Sequence, residues 1–343
     1  MYAALTPEQQ EVERVAGRLA ASVAIRNPSD LPGHDRGRAW RQLIEAGALT
    51  VRMRENGQPL ASGTEARLFV EAAAAALMTA PILGNTLAVD LLARAGTDDA
   101  AVAGIAEGTL RVGVALAADF GLCCPTADDD VLAWDIEGAT QAVGLAHADD
   151  GTAQVVRYQI DGASVVPSQL DATRMIGRVL PGSRKAVGPL AEEDAQRWSA
   201  LALTLATADA VGAARQTLDN AIAYSRERHA YGAPIGSFQA LQHLMVDAFI
   251  ELQMTAALTR YAAWAIDELA PDAAMLAARG AKANTARVGL AIAEAAQQVF
   301  GGMGVTREHI AHFFSRRIMV DRWLFGGEDT HYAAIADARL GVI

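Results

Sequence analysis

The chain has 343 residues, of which 52% are hydrophobic and 20% charged, with a net charge of −11 and an isoelectric point near 5.1. This composition supports a sizeable core divided among two or three domains and excludes an intrinsically disordered chain. Because nucleic acids and anionic membranes repel an acidic protein, neither is predicted as a partner, and a small molecule or another protein is favoured.

The cysteines and the N-terminus predict a reduced, cytoplasmic protein. Cys123 and Cys124 are the only cysteines and are adjacent, a spacing that provides neither a disulfide framework nor a metal site. The N-terminal MYAALTPEQQEVERV lacks a basic lead followed by an apolar run. No uncharged apolar stretch approaches the roughly 20 residues that span a bilayer.

Residues 1–108 predict an N-terminal helical domain. Thr6 and Gln9 flank Pro7 as a capping box, which predicts that a helix begins there. Helical periodicity, interrupted by Gly and Pro, then recurs in four stretches. These stretches are Arg38 to Ala46, Glu65 to Thr79, Leu83 to Ala95 and Asp98 to Ala106.

Residues 109–192 predict a central β domain, an antiparallel barrel or sandwich. Short apolar segments there are separated by Asp-Asp, Asp-Gly and Pro turns. The predicted strands are Val112 to Leu116, Val131 to Ile136, Gln154 to Ile160 and Ser164 to Val166. Trp134 lies within one of them and is predicted to be a packing residue.

Residues 193–343 predict a C-terminal four-helix bundle, because long helical patterns are joined by short links. The predicted helices are Gln196 to Arg228, Ser237 to Leu269, Asp272 to Phe300 and Thr306 to Trp323. A final helix is predicted to begin near Glu328, after the turn Leu324-Phe325-Gly326-Gly327. The fold class is therefore mainly α with a small β domain.

One motif lies between the first two helices of the bundle, in YSRERHAYGAPIGSFQALQHLMVD. Arg228 ends a helix, Tyr231 and Gly232 form an aromatic-glycine turn, and Gln239 begins the next helix. Taken alone, Arg228 would be an exposed cation favoured by the helix dipole.

A second motif is QVFGGMG, which begins at Gln298 and ends one of the bundle helices. Gly301 and Gly302 permit a positive φ and close approach of the backbone to another molecule. The order and spacing of the two motifs resemble those of the acyl-CoA dehydrogenase family of flavoproteins, as does the sequence of helices, small β domain and helical bundle.

The resemblance implies FAD as cofactor and assigns roles to both motifs. Arg228 would contact the FAD pyrophosphate of a neighbouring subunit, because a guanidinium stays charged and offers forked donors to phosphate oxygens. Tyr231, which replaces the more usual Phe, Gly232 and Gln239 would also contact the cofactor. Gln298, Gly301 and Gly302 would meet the adenosine end of FAD from across the subunit interface.

The resemblance also locates the catalytic Glu, and here it is missing. Its usual position, in the turn before the last helix, is Phe325, and its position in other branches is Ala202. Removal of the α proton of a thioester requires a base within about 3 Å in a dry pocket, and neither side chain provides one. Glu328 and Asp329 lie about one helical turn on and could be a relocated base, although their positions are typical of a helix start.

The family's flavin-contacting stretches of the β domain have no clear counterpart, although Phe120 to Thr126 lies roughly where the first is expected. We therefore predict one half of a heteromeric acyl-CoA dehydrogenase, similar to the short subunits of actinobacterial α2β2 enzymes of steroid side-chain degradation. A second subunit would supply the Glu and the flavin pocket, an acyl-CoA would be the substrate, and electron-transferring flavoprotein would be the oxidant. The alternatives are a self-sufficient homo-oligomeric dehydrogenase or oxidase that uses Glu328 or Asp329, and a cofactor-free scaffold subunit.

Overall fold

A computed structural model describes residues 4–96, 99–126 and 130–341. Five helices form its N-terminal part: α1 Pro7–Ser22, α2 Arg36–Glu45, α3 Gly63–Ala75, α4 Ile82–Ala95 and α5 Asp99–Ala106. The predicted capping box is confirmed, since the Gln9 N–H donates to Thr6 Oγ1 at 3.3 Å and the Thr6 N–H donates to Gln9 Oε1 at 3.1 Å. Asp98, predicted to begin α5, lies outside the described residues.

The strands form a short hairpin and a larger sheet. The hairpin pairs β1 Arg54–Glu55 with β2 Gln58–Pro59. The sheet strands are β3 Val112–Ala117, β4 Cys123–Cys124, β5 Val131–Trp134, β6 Gln141–His147, β7 Ala153–Gln159, β8 Val166–Pro167, β9 Met175–Arg178 and β10 Lys185–Pro189. They run in the order β10-β7-β6-β3-β5-β9-β8, and β4 pairs with β6.

The sheet is mixed, so the prediction of a purely antiparallel β domain was wrong. β3 pairs with β5 antiparallel and with β6 parallel, which places β5 and β6 on opposite sides of β3. The link between them must pass over the start of β3. Gly113 permits this, because a Cβ there would lie 2.3 Å from Ile136 Cγ2 in that link.

The C-terminal part is the predicted helical bundle. It contains α6 Glu192–Glu227, α7 Gln239–Glu268, α8 Pro271–Phe300, α9 Ala311–Trp323 and α10 Glu328–Leu340, with the hairpin strands β11 His229–Ala230 and β12 Ala233–Pro234 between α6 and α7. α9 begins at Ala311 and not at the predicted Thr306, because residues 306–310 form turns and bends after the 3-10 helix at 301–305. The predicted fold class is confirmed, whereas the division into three domains stays a prediction.

α6 is the central helix of the core. Trp198 is fully buried and donates from its indole to Leu87 O at 2.9 Å, which fixes α6 against α4. A Cβ at Gly212 would lie 2.1 Å from Glu71 O, so the glycine permits the close crossing of α6 and α3. Burial of such apolar and alanine-rich faces supplies most of the driving force for this packing.

A cluster of buried ions joins the sheet to the bundle. It consists of Asp171, Arg174, Asp209, Arg317 and Asp321, none more than 2% exposed. Arg317 binds Asp209 through two bonds of 2.6 and 2.8 Å. Arg174 binds Asp321 at 2.8 Å and Asp171 at 2.5 Å. We call this set the buried ion cluster.

Arg174 also stacks its guanidinium 4.9 Å from the ring centroid of Trp134, which is 1% exposed. Trp134 is therefore a packing residue, as predicted. Of the helices in the described ranges, none combines the length and hydropathy needed to cross a bilayer.

Candidate functional site

The first predicted motif folds as a hairpin at the end of α6. The Arg228 N–H caps the helix by donating to Tyr224 O at 2.9 Å, and Arg228 O accepts from the Ile235 N–H at 2.8 Å. Tyr231 and Gly232 have φ values of 52° and 82° and form the two-residue turn between β11 and β12. Two successive positive φ angles are typical of the type I′ hairpin turn.

This hairpin presents its side chains to solvent. Tyr231 is 98% exposed and touches only the edge of Phe238, with ring centroids 6.3 Å apart. Arg228 and Gln239 are exposed, and within residues 4–96, 99–126 and 130–341 no side chain or carbonyl binds the Arg228 guanidinium. A free fork of donors and an exposed aromatic side chain are features that favour contact with another molecule.

The second motif ends α8. Gly301 has a φ of 64° and its N–H donates to the carbonyls of Gln297 and Gln298, which closes the helix. Gly304 is packed tightly, since a Cβ there would lie 2.8 Å from Gln297 O. At Gly301 and Gly302, by contrast, an added Cβ would meet no described atom within 4 Å, so an approaching molecule can contact their backbone.

Both motifs lie at one end of the bundle. Tyr224 and Phe300 stack with ring centroids 5.4 Å apart, and Ile235 packs on the cluster that contains Phe300 and Val299. The sequence-predicted contacts thus share one surface, although about 70 residues separate the motifs. We call this surface the arm surface; it comprises Arg228, Tyr231, Gly232, Gln239, Gln298, Gly301 and Gly302.

An apolar stripe on α7 begins beside the arm surface and was not predicted from the sequence. Its residues follow helical spacing on one face and are 38–55% exposed: Val246, Phe249, Ile250, Met254 and Leu258. The signal was present, but the same spacing also describes an ordinary core-facing helix. An exposed apolar patch of this kind is typical of a protein interface.

The turn Leu324–Gly327, which we call the base turn, lies directly before α10, as predicted. Phe325 is 4% exposed and has a φ of 64°, and its N–H donates to Phe120 O at 2.9 Å. Phe120 also has a positive φ, of 65°. Ala202, the other predicted base position, is fully buried within α6. Neither position holds a proton acceptor.

Glu328 and Asp329 lie in the first turn of α10, as predicted. Glu328 Oε1 accepts from Arg322 Nη2 at 2.9 Å, and Asp329 is exposed. A cavity of about 460 Å³ is lined by Phe325 and Leu203, and the described residues that line it do not include Glu328 or Asp329. We call this space the Phe325 cavity.

Lys282 holds the base turn in place. Its buried ammonium donates to Asp321 O, Arg322 O and Gly326 O at 2.9, 2.8 and 3.0 Å. These carbonyls close the end of α9 and the turn that follows, where a cation is favoured. Burial lowers the pKa of Lys282 to about 7.

His331 supports the same turn from α10. It is 2% exposed, and its Nε2 lies 3.2 Å from Gly326 O. Burial, together with the nearby Lys282 and Arg279, lowers the pKa of His331 to about 4. Sequence analysis considered His331 only beside Glu328 and Asp329 as a substitute base, and it missed Lys282, although Lys282 is one of only two lysines in the chain and lies on an alanine-rich helix.

The described residues of the arm surface fit the outer part of an FAD. The arm surface offers a guanidinium, two amides and open glycine backbone to phosphate and adenosine groups. At the base turn, by contrast, the described groups bond within the chain, since the Phe325 N–H donates to Phe120 O.

Known proteins resemble the chain along most of its length. The family model "Acyl-CoA dehydrogenase, C-terminal domain" matches residues 203–340. The acyl-CoA dehydrogenase IpdE2 of Mycolicibacterium smegmatis is 30% identical over 290 residues, covering 84% of this chain and 83% of that protein.

Two solved structures share the fold. The Tcur3481-Tcur3483 steroid ACAD aligns with a TM-score of 0.82 at 22% identity, over 97% of this chain and 98% of that one. The ChsE4-ChsE5 complex from Mycobacterium tuberculosis aligns with a TM-score of 0.81 at 21% identity, over 100% of both chains. At these identities the likeness is one of fold.

Proposed function

The chain belongs to the acyl-CoA dehydrogenase family, and from this premise we propose that it is the subunit of a heteromeric enzyme that completes a partner's FAD site without supplying the base. The observation that carries the proposal is a contrast within one bundle. The arm surface is exposed and has no described partner at Arg228, whereas the base turn is buried and carries Phe325.

The arm surface would bind the outer part of a flavin seated in the partner. Arg228 would pair with the pyrophosphate, and the backbone at Gly301 and Gly302 would lie against the adenosine. Gln239 and Gln298 would donate or accept hydrogen bonds at its edges. When bound, FAD accepts the hydride that leaves the β carbon of an acyl thioester.

The apolar stripe on α7 supports a permanent partner. Val246 follows Gln239 by about two helical turns, so the stripe extends the arm surface along the bundle. Stable interfaces combine an apolar centre with a polar rim. A subunit that covers the stripe would therefore also reach the arm surface.

The base turn supports different catalytic roles for the two subunits. Phe325 cannot accept a proton, and its N–H is bonded to Phe120 O at 2.9 Å, which ties the base turn to the sheet beside the Phe325 cavity. We therefore assign proton abstraction and most of the flavin pocket to the partner.

The relatives suggest the substrate class. One similar structure is named a steroid ACAD, and another is the ChsE4-ChsE5 complex. We propose that this chain pairs in an α2β2 heterotetramer that dehydrogenates the CoA thioester of a steroid-derived acid in the cytoplasm. Electron-transferring flavoprotein would reoxidise the flavin.

Flavin counting after coexpression tests the proposal. The full chain should be purified alone and with the acyl-CoA dehydrogenase-like subunit encoded beside it, and FAD should be measured by absorbance after denaturation. We expect little FAD in the lone chain and one FAD per heterodimer in the complex. Only the complex should reduce a dye with an acyl-CoA.

Robust acyl-CoA oxidation by the lone chain would overturn the proposal. Normal FAD content and activity in a complex that carries Arg228→Ala would instead favour a scaffold subunit. The same preparations distinguish the two outcomes. Oxidation by the lone chain would mean that this chain has its own base, whereas unchanged FAD content in the Arg228→Ala complex would mean that the arm surface does not bind the cofactor.

A further inference from the structure

Two adjoining cavities lie between the sheet and the bundle. The Phe325 cavity continues into one of about 510 Å³ that Cys123 lines, which we call the Cys123 cavity. Leu122, Ser199 and Met275 line both. Each volume is within the range of about 300–1,000 Å³ that is typical of sites for small organic ligands.

A half-buried cation stands where the cavities meet. Arg279, on α8, lines both of them, and its guanidinium has no hydrogen-bond or ion-pair partner in the parts of the chain that the structure describes. Burial lowers the pKa of Arg279. A cation withdrawn from water without a counter-ion is costly, and an anionic ligand would offset that cost.

A second polar group in the cavity wall also lacks a partner. His331 is 2% exposed and lines the Phe325 cavity, and its Nδ1 makes no hydrogen bond to any described residue. The ring is otherwise fixed by the contact of Nε2 with Gly326 O. Buried polar atoms without partners are rare in folded proteins, so a bound hydroxyl group or an accompanying water is expected at Nδ1.

The charges around the cavities leave the interior favourable to an anion. Asp119, Glu192 and Asp272 also line them, but all three are exposed at the rim, where water screens them. Lys282 lies one turn along α8 from Arg279, and its own bonds go to backbone carbonyls. The charge that faces inward is thus positive.

The remaining walls are apolar. Leu203 and Phe325 line one arm of the space, and Leu145 and Leu276 line the other. An inorganic anion would leave these walls uncovered, whereas an organic acid would bury its carbon skeleton against them. A carboxylate, which matches a guanidinium with two oxygens, suits the single unpaired cation.

We propose that these cavities bind an organic carboxylic acid, whose carboxylate pairs with Arg279 and whose apolar skeleton lies against Leu122 and Met275. The site is separate from the arm surface and involves no dehydrogenation step. It rests on the proposed function in one respect, that these cavities are not an active site of this chain: acyl-CoA oxidation by the lone chain would overturn both, whereas absence of decanoate binding would overturn only this site.

Titration calorimetry with decanoate on the full chain, alone or in its complex, tests the site. We expect saturable binding of decanoate and at least tenfold weaker binding of decanol, which lacks the charge. Arg279→Met should weaken decanoate binding roughly 10- to 100-fold, the range for loss of a charge-assisted pair. Arg279→Lys, which keeps the charge but loses the forked donors, should weaken binding less than Arg279→Met.

Arg260→Met is the matched control, because Arg260 is an exposed arginine on α7 that lines neither cavity. It should leave decanoate binding unchanged. The proposal is overturned if decanoate does not bind, if decanol binds equally well, or if Arg260→Met weakens binding as much as Arg279→Met. Binding of decanoyl-CoA without binding of decanoate would assign the cavities to a thioester and would also overturn it.

Should Arg279→Met fail to fold, the comparison of decanoate with decanol on the unmodified chain decides the question. Arg279→Lys is then the variant to compare, since it keeps the charge but replaces the forked donors with a single ammonium group.

Discussion

The arm surface and the base turn belong to the same bundle, yet they differ in what their polar groups bind. At the arm surface the guanidinium of Arg228 is free among the described residues, and Tyr231 is 98% exposed. At the base turn, Lys282 and the Phe325 N–H are each bonded within the chain. Exposed polar groups without a partner among the described residues favour contact with another molecule. The base turn, by contrast, is part of the core.

This difference gives a rule for how substitutions in the two regions should behave. Where the site has been rebuilt as packing, its residues should contribute to stability and little to turnover. Where a surface keeps unpaired cofactor-type residues, substitutions there should affect the complex and leave the lone chain stable. Four substitutions test the rule, from the largest expected effect to the smallest.

Asp209→Ala tests whether the region behind the base turn is structural. The substitution would leave Arg317 buried without its carboxylate, and we expect it to lower the free energy of unfolding by about 3–5 kcal/mol. Urea unfolding followed by circular dichroism measures this. Asp219→Ala, at an exposed position of the same helix, should cost under about 0.5 kcal/mol. Equal losses would contradict a structural role for the buried ion cluster.

His331 tests the same region through pH. Between about pH 6.5 and 4 the unfolded chain binds a proton that folded His331 excludes, so stability should fall as the pH falls through this window. The difference between the folded and unfolded pKa of His331 corresponds to roughly 3 kcal/mol of unfolding free energy, which is fully present above pH 6.5 and lost as the pH falls towards 4. His331→Gln should remove this part of the pH dependence, measured by urea unfolding at several pH values.

His243→Gln, at an exposed position on α7, is the control and should keep the slope of the unmodified chain. If His331→Gln also keeps that slope, the turn does not exclude the proton and the assignment of His331 as a packed, neutral group is wrong.

The sequence predicted the turns of both regions, but it did not predict the contacts that hold the base turn, because the turns of the arm surface are encoded locally. Tyr231 and Gly232 determine their own turn, and Gly301 ends its own helix. The contacts of the base turn are distant in sequence: Lys282 reaches carbonyls 39 to 44 residues away, and Arg317 pairs with Asp209 across 108 positions. Charged side chains in alanine-rich helices gave no indication of which partners they would meet.

The sheet illustrates the same limit. Strand β6 was missed because Gly144 interrupts its apolar pattern, yet the fold requires glycine there. A Cβ at Gly144 would lie 2.5 Å from Cys124 Sγ and 2.7 Å from Ala115 O, so two neighbouring strands could not approach. Glycine has a low intrinsic preference for strands, but long-range packing requires it at position 144.

Arg228→Ala tests the other side of the comparison. In the heteromeric complex we expect FAD affinity to fall roughly 10- to 100-fold, because a charge-assisted contact with phosphate is lost. The free energy of unfolding of the lone chain should stay within about 0.5 kcal/mol of its original value. Fluorescence titration of the apo-complex with FAD measures the first quantity.

Arg226→Ala is the matched control, since Arg226 is also exposed and precedes Arg228 by two residues on the last turn of α6. It should leave FAD affinity unchanged. A similar loss in both variants would indicate a general effect of surface charge, and the arm surface would then have no specific role in binding the cofactor.

The smallest expected effect belongs to Glu328→Gln. Glu328 is bonded to Arg322 at the start of α10 and does not line the Phe325 cavity among the described residues. Its replacement by an uncharged isostere should therefore change kcat of the complex by less than about twofold, in line with the modest contribution of a partly exposed ion pair.

A relocated base predicts the opposite result, loss of turnover with FAD retained. Asp329→Asn gives the parallel test at an exposed position. Dye reduction with a steroid acyl-CoA, normalised to bound FAD, separates the two readings. Abolished turnover in either variant would mean that this chain carries its own chemistry and that the base turn is more than packing.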